Sequence, residues 1–216
     1  MKYKIIFPLL AIILFTSCKS ESPRQKVSFN ENWTFHLGDD TEAYKPEFDD
    51  SGWRKLDVPH DWAIEGEFSE KNPSGSGGGA LPGGIGWYRK TFTVDKKSEG
   101  KKIFIDFDGV YMNSEVWING ISLGMRPYGY ISFQYDLTEH IRFGENNLIA
   151  VRVDNSEQPN SRWYSGCGIY RNVWLTSTDP IHVDLWGTYV TTPEITKEQA
   201  SVLVETNVKN ETNTAE

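Results

Sequence analysis

Six carboxylates, Asp106, Asp108, Glu115, Asp136, Glu139 and Asp154, fall on or beside short apolar runs of a 216-residue chain. Paired carboxylates are what acetal hydrolysis needs: an acid and a base or nucleophile flanking one bond, roughly 5–10 Å apart. Spacing selects no pair among the six, and their surroundings read as solvated strand faces and turn hydrogen bonds. Two further patterns imitate catalytic motifs. Gly120-Ile121-Ser122-Leu123-Gly124 has the G-x-S-x-G spacing of a nucleophile elbow, which requires a strand, a strained turn and then a helix. Here the pattern straddles an Asn119-Gly120 hairpin signal, and Arg126-Pro127 follows, so no helix begins. Gly75 to Ala80 fits G-x-G-x-x-A but neither follows an apolar strand nor opens a helix, as a dinucleotide site would. The four histidines, 36, 60, 140 and 182, show no metal-ligand spacing. The chain therefore reads as lacking a complete catalytic centre, a metal site and a cofactor.

The elements that position these residues are strands. Ile103, Ile105 and Phe107 share one face of the run Lys102–Asp108. Val116 and Ile118 alternate with Trp117 and Asn119; Ile149, Val151 and Val153 alternate with Ala150 and Arg152. Trp87–Val94 and Asn172–Thr176 read as further strands, and Asn72–Gly86, rich in Gly, as a long functional or mobile loop. Short strands separated by Gly-rich turns predict an all-β jelly roll or sandwich over residues 27–178. Past Asp179-Pro180 the pattern predicts a strand over Ile181–Val190, a turn over Thr191–Thr196 and a strand over Ala200–Val208, with Val202, Val204, Thr206 and Val208 alternating. Two strands do not make a sandwich, so residues 179–216 read as the first strands of an incomplete second β-domain.

Composition narrows the partners. A formal net charge of −8 argues against a nucleic-acid partner, which needs a clustered basic face. Eight Trp, ten Tyr and eleven Phe suit both sandwich cores and stacking on sugar rings. Residues 1–18 read as a leader: Lys2 and Lys4, an apolar run from Ile5 to Phe15 too short to span a bilayer, then Leu14-Phe15-Thr16-Ser17-Cys18. The small residues before Cys18 resemble a bacterial lipobox, which predicts export, lipidation of Cys18 and attachment to a membrane in the periplasm or at the cell surface. An ordinary signal peptide with an incidental Cys is the alternative. Lys19–Lys26 reads as a tether. With Cys18 lipidated, Cys167 has no disulfide partner and stability rests on the core.

Several segments, in order, resemble the N-terminal jelly-roll domain of glycoside hydrolase family 2, the family of bacterial β-galactosidases, β-glucuronidases and β-mannosidases. They are Val58-Pro59-His60-Asp61-Trp62, Gly86-Trp87-Tyr88-Arg89-Lys90-Thr91-Phe92, Phe107-Asp108-Gly109-Val110-Tyr111, Val116-Trp117-Ile118-Asn119-Gly120, Gly129-Tyr130, Asp136-Leu137-Thr138, Asn146-Asn147-Leu148, and the run from Arg162-Trp163-Tyr164-Ser165-Gly166 to Leu175. The likeness covers Val27 to Thr178, and residues from about Asp179 are similar to the start of the family's immunoglobulin-like second domain. The wording looks most like the β-galactosidase branch. The resemblance implies a galactose-binding-like jelly roll, a retaining exo-β-glycosidase as the parent protein, and both catalytic glutamates on a (β/α)₈ barrel of roughly 250 residues outside this chain. This chain alone is then expected to be inactive. Its part is a wall of the sugar site, with homo-oligomerisation of the full enzyme a further possibility.

In β-galactosidases of the family, an Asp shortly before the last Ser-Gly binds the non-reducing sugar; that place falls on or near Asn160. A second contact, an Asn, falls near Gly83, which has no side chain. His60, Asp61, Arg162 and Trp163 are the candidate substitutes, Arg162 as a donor to hydroxyls and Trp163 as a stacking face. Each has a plainer role open to it: Trp163 in the core, Arg162 in an ion pair, His60-Asp61 ending the strand that enters at Val58. Arg89, Arg152 and Arg171 read as structural, and Asn155 and Gly166 as shaping their loop. Two rival readings are a stand-alone carbohydrate-binding lipoprotein and a purely structural or assembly role.

Overall fold

The computed structural model describes residues 22–212 and 214. The leader, Cys18 and the first part of the tether lie outside the described residues. The strands are β1 Gln25–Ser28, β2 Trp33–Leu37, β3 Arg54–Leu56, β4 Gly84–Thr93, β5 Lys102–Phe107, β6 Ser114–Ile118, β7 Ile121–Arg126, β8 Phe133–Asp136, β9 Asn146–Asn155, β10 Val173–Thr178, β11 Ile181–Ile195 and β12 Ala200–Asn210. One sheet has the order β3-β2-β4-β9-β6-β7, the second β1-β10-β5-β8, and β11 pairs only with β12. Every named pairing is antiparallel.

Alternation along the strands builds one core between the two larger sheets. Ile103, Ile105 and Phe107 of β5 and Val116, Ile118, Ile149, Val151 and Val153 of the six-stranded sheet are all buried in a single cluster. Burying each such side chain stabilises the fold by about 1.5–3 kcal/mol. Aromatic edges fill one part of it: Trp33 meets Phe29 at 5.8 Å and Tyr88 at 6.5 Å. The outer face of the six-stranded sheet carries a second, smaller cluster, where Trp87 stacks on Trp117 at 5.3 Å beneath the segment 39–53. Arg89 staples that segment down. Its guanidinium donates to the carbonyls of Ala43, Lys45 (2.9 Å) and Phe48 (3.2 Å) and to Asp50 Oδ2 (3.0 Å). Arg152 pairs with Asp39, Glu115 and Asp154. Both arginines are structural, whereas Arg171 lies just ahead of β10 and not on a strand.

The Asn119-Gly120 signal forms the β6–β7 hairpin, with φ of 51° and 85°, as a two-residue primed turn requires. Ser122 is thus a hairpin residue whose Oγ accepts the Gly124 N–H, not a nucleophile on a helix.

Several boundaries differ from the sequence expectation, among them the start of β4 at Gly84 inside the expected Asn72–Gly86 loop. Gln25 and Lys26 belong to β1 rather than to a tether, because they extend the edge ladder against Ser177 and Thr176 of β10. The strand expected to end at Val190 runs on to Ile195, and the turn falls between Thr196 and Gln199. Pro193 sits inside the ribbon at an irregularity between Thr191 and Glu194, where a missing N–H costs no ladder bond. The turn is set by Thr196, whose Oγ1 accepts the N–H groups of Glu198 and Gln199. Val58, expected in a strand, follows β3 in irregular backbone and is buried in the core. In the ribbon, every residue of β12 is exposed despite the alternation, since no further sheet packs on it among the described residues.

Candidate functional site

Topology brings four loops to one end of the sandwich: residues 57–83 before β4, 108–113 after β5, 127–132 after β7 and 156–172 after β9. Backbone bonds knit them, the Asn113 N–H donating to Pro127 O at 3.3 Å to tie in the 127–132 loop. Tyr111 and Gly168 exchange N–H···O bonds of 3.0 Å, the His60 N–H donates to Ile169 O at 2.8 Å, and the Trp62 N–H donates to Cys167 O at 3.2 Å.

Asp61 is the hub. Its Oδ1 accepts the N–H groups of Ala63 (3.0 Å) and Cys167 (2.9 Å), and its Oδ2 accepts the Tyr164 hydroxyl. Burial and then the Asp61 carboxylate hold the Tyr164 hydroxyl protonated well above its ordinary range, so Tyr164 is a fixed donor. Gly166 is required beside them: its φ is 79°, and an added Cβ would stand 3.1 Å from Asp61 Oδ2. An open cleft of about 400 Å³ lies here, lined by His60, Asp61, Ile64, Tyr164, Ser165 and Tyr170 among others.

His60 forms a side of the cleft, but its ring is spoken for. Nδ1 lies 2.8 Å from the Tyr88 hydroxyl, and Nε2 lies 2.7 Å from Arg54 Nη2 and 3.3 Å from Glu65 Oε1. Burial lowers its pKa, against the pull of Glu65, so the imidazole is neutral at neutral pH.

The other candidates stand on the 156–172 loop. Asn160 Nδ2 donates to Asn155 Oδ1 (2.7 Å) and Glu157 O (3.1 Å) and contacts Met112 Sδ, while its Oδ1 accepts the Tyr111 hydroxyl at 3.2 Å. One lone pair of that oxygen remains for a ligand. Buried Asn155 holds the loop through Gly166 O, Cys167 Sγ, Gln158 and Asn160, so Asn155 and Gly166 do shape it. Cys167 is a free, buried thiol, and burial pushes its pKa up to about 12. Trp163 is not core: it is 60% exposed, with its indole N–H fixed on the Tyr130 hydroxyl at 2.9 Å. Arg162 is exposed and makes no ion pair among the described residues.

The structure thus joins Asp61 to the 160–168 segment and leaves Trp163 and Arg162 on its outer surface. Sequence reasoning missed Tyr130, Tyr111 and Tyr170, whose rings and hydroxyls brace this end; Tyr130 packs on Tyr111 at 5.2 Å and on Tyr128 at 5.6 Å. Their clustering was signalled only by motif likeness, since they come from three loops. Five of the six carboxylates are held in structural bonds, and the sixth, Glu139, lies in the helical turn Thr138–His140. Asp106 accepts from Gln134 and Thr176, Asp108 from Trp174 Nε1, Asp136 from Lys102 and Thr138, and Glu115 and Asp154 pair with Arg152.

This arrangement can hold a polyol by fixed donors, acceptors and an exposed ring face. Residues 80–179 match the profile described as glycosyl hydrolases family 2, sugar binding domain. The chain is 64% identical over 203 residues to the β-galactosidase BoGH2A of Bacteroides ovatus, covering 93% of this chain and 24% of that protein. A putative β-glucuronidase of Formosa agariphila is 47% identical over 93% of this chain and 19% of its own length. A β-glycosidase structure from Bacteroides vulgatus superimposes with a TM-score of 0.84 at 44% identity, covering 88% of this chain and 25% of that one. The chain therefore spans about a quarter or less of the proteins it matches.

Proposed function

Because this chain belongs to glycosyl hydrolase family 2 and carries the N-terminal sugar-binding domain of a glycosidase, we propose that its loop end forms one wall of the terminal-sugar pocket of a retaining exo-β-glycosidase of the β-galactosidase type. The observation that carries this reading is the Asp61–Tyr164–Cys167 junction, which fixes an open cleft, with Trp163, next to Tyr164 in sequence, exposed on the outer surface of the same loop. In this reading Asn160 Oδ1 accepts from a sugar hydroxyl, Arg162 donates to one, and Trp163 stacks on a ring. His60 and Asp61 hold the wall, with Asp61 keeping Tyr164 in place as a donor. The acid/base and nucleophile belong to a barrel that this chain does not include, so the chain by itself turns nothing over. Cys18 carries the lipid that tethers the exported protein to a membrane, and the full enzyme associates with further copies of itself.

A second reading, a β-glucuronidase parent, is favoured by the Formosa agariphila relative and by the unpaired guanidinium of Arg162, which suits a uronate carboxylate. Hydrolysis of nitrophenyl β-galactoside, β-glucuronide and β-mannoside by this chain and by the protein extended through its downstream reading frame separates the readings. The proposal expects turnover by the extended protein only, with the galactoside preferred.

A further inference from the structure

A second cleft, of about 490 Å³, opens at the β2–β3 edge of the six-stranded sheet, within the roughly 300–1,000 Å³ span of small-ligand sites. Its floor is the stacked pair Phe35–Trp62, with ring centroids 5.8 Å apart. Trp53, lying on His36 at 5.4 Å, forms one side, and exposed Leu37 another. The polar wall is Arg54 and Glu65, joined by two bonds of 2.9 Å with side chains 51% and 43% exposed.

The chemistry of this lining selects its occupant. The guanidinium and carboxylate cancel each other, and His36 faces Asp40 at 3.5 Å, so the cleft offers no unpaired charge to a phosphate or an acidic peptide. It does offer donors and acceptors side by side next to the half-buried ring of Trp53, over a floor whose Phe35 and Trp62 rings are only 6% and 2% exposed. A pyranose ring has the matching shape, with C–H faces for the rings and a rim of hydroxyls for the paired polar groups. The same two residues reach His60: Arg54 Nη2 at 2.7 Å and Glu65 Oε1 at 3.3 Å. His60 lines the other cleft, so the two clefts share one wall.

We propose that the Phe35–Trp53–Arg54–Glu65 cleft is a second saccharide site, taking an uncharged sugar unit away from the terminal-sugar pocket. Its existence is independent of the reading given above; only the choice of oligosaccharide rests on it. The test is titration of the full chain with β-1,4-galactotetraose and with cellotetraose, following the indole N–H resonances of Trp53 and Trp163 by NMR. Gly52→Trp is the blocking variant, since a Cβ at Gly52 meets nothing within 4 Å. Leu37→Glu is a second variant, at a side chain already 51% exposed. The expected result is a saturable shift of Trp53 that weakens at least tenfold in either variant, with Trp163 behaving as in the parent chain. If Trp163 moves and Trp53 does not, the second site is wrong and the terminal-sugar wall stands. If Trp53 moves and Trp163 does not, the reverse holds. A Trp53 shift that survives both substitutions also overturns the proposal.

Discussion

Asp61 accepts the backbone N–H of Cys167 at 2.9 Å across 106 residues of sequence. This bond closes the loop end of the sandwich, because the same carboxylate also takes the N–H of Ala63 and the hydroxyl of Tyr164. The wall proposed for the terminal sugar stands on segments that this side chain joins.

Asp61→Ala leaves three donors without their acceptor, at least one of them in a buried turn. The expected loss is on the order of 1–3 kcal/mol in urea unfolding. Asp61→Asn keeps the Oδ1 acceptor and is expected to cost less. Equal costs for the two variants would mean that the carboxylate oxygens do not organise the loop.

Arg89→Ala is expected to be among the most damaging single changes. It removes a 4%-exposed guanidinium from Asp50 and from three carbonyls. Asp50 is 30% exposed and keeps the Thr34 hydroxyl, so the cost lies in the orphaned carbonyls, about 1–3 kcal/mol for each one left buried and unpaired. Arg89→Lys recovers little, because one ammonium cannot reproduce the planar fork. Thermal unfolding of both variants reads this directly.

Trp163→Ala is expected to separate binding from stability. The side chain is 60% exposed and its one polar contact is to Tyr130, so unfolding should move by less than about 0.5 kcal/mol. In the extended enzyme the same change should raise KM severalfold. A stability loss without a KM change would return Trp163 to a structural role.

Acid should weaken the fold through His60. Its folded pKa is lowered, chiefly by burial, so the unfolded chain binds more protons once the pH drops below the ordinary value of about 6.5. Stability is then full above that value, falls as the pH drops toward the folded pKa, and levels off below it. His60→Gln should flatten this part of the profile, measured as urea midpoints across the pH range.

The strands were legible because alternation is local. Ile103, Ile105 and Phe107 all proved buried, and Asn119-Gly120 turned where its backbone preferences demanded. Edge and ribbon elements were less legible. The polar run Gln25–Ser28 becomes a strand only because β10 offers an unpaired edge, and Pro193 looks like a turn residue until the bulge accommodates it. The site was legible as motifs but not as geometry. His60, Asp61 and the run 160–166 were named from the sequence, yet the bond from Asp61 to Cys167 joins loops that no local pattern connects. Trp163 could not be assigned to core or surface from its neighbours, because exposure depends on the Tyr130 loop beneath it.

In the proposed function, this chain supplies a wall of a sugar pocket whose chemistry lies outside it. The most direct measurement is release of nitrophenol from the β-galactoside, β-glucuronide and β-mannoside by the purified chain, beside the protein extended through its downstream frame. The expected result is no turnover by the short chain and turnover by the extended one, with Trp163→Ala weakening the latter through KM. Steady hydrolysis of any of the three by the short chain would contradict it and would return attention to the carboxylates of the strands.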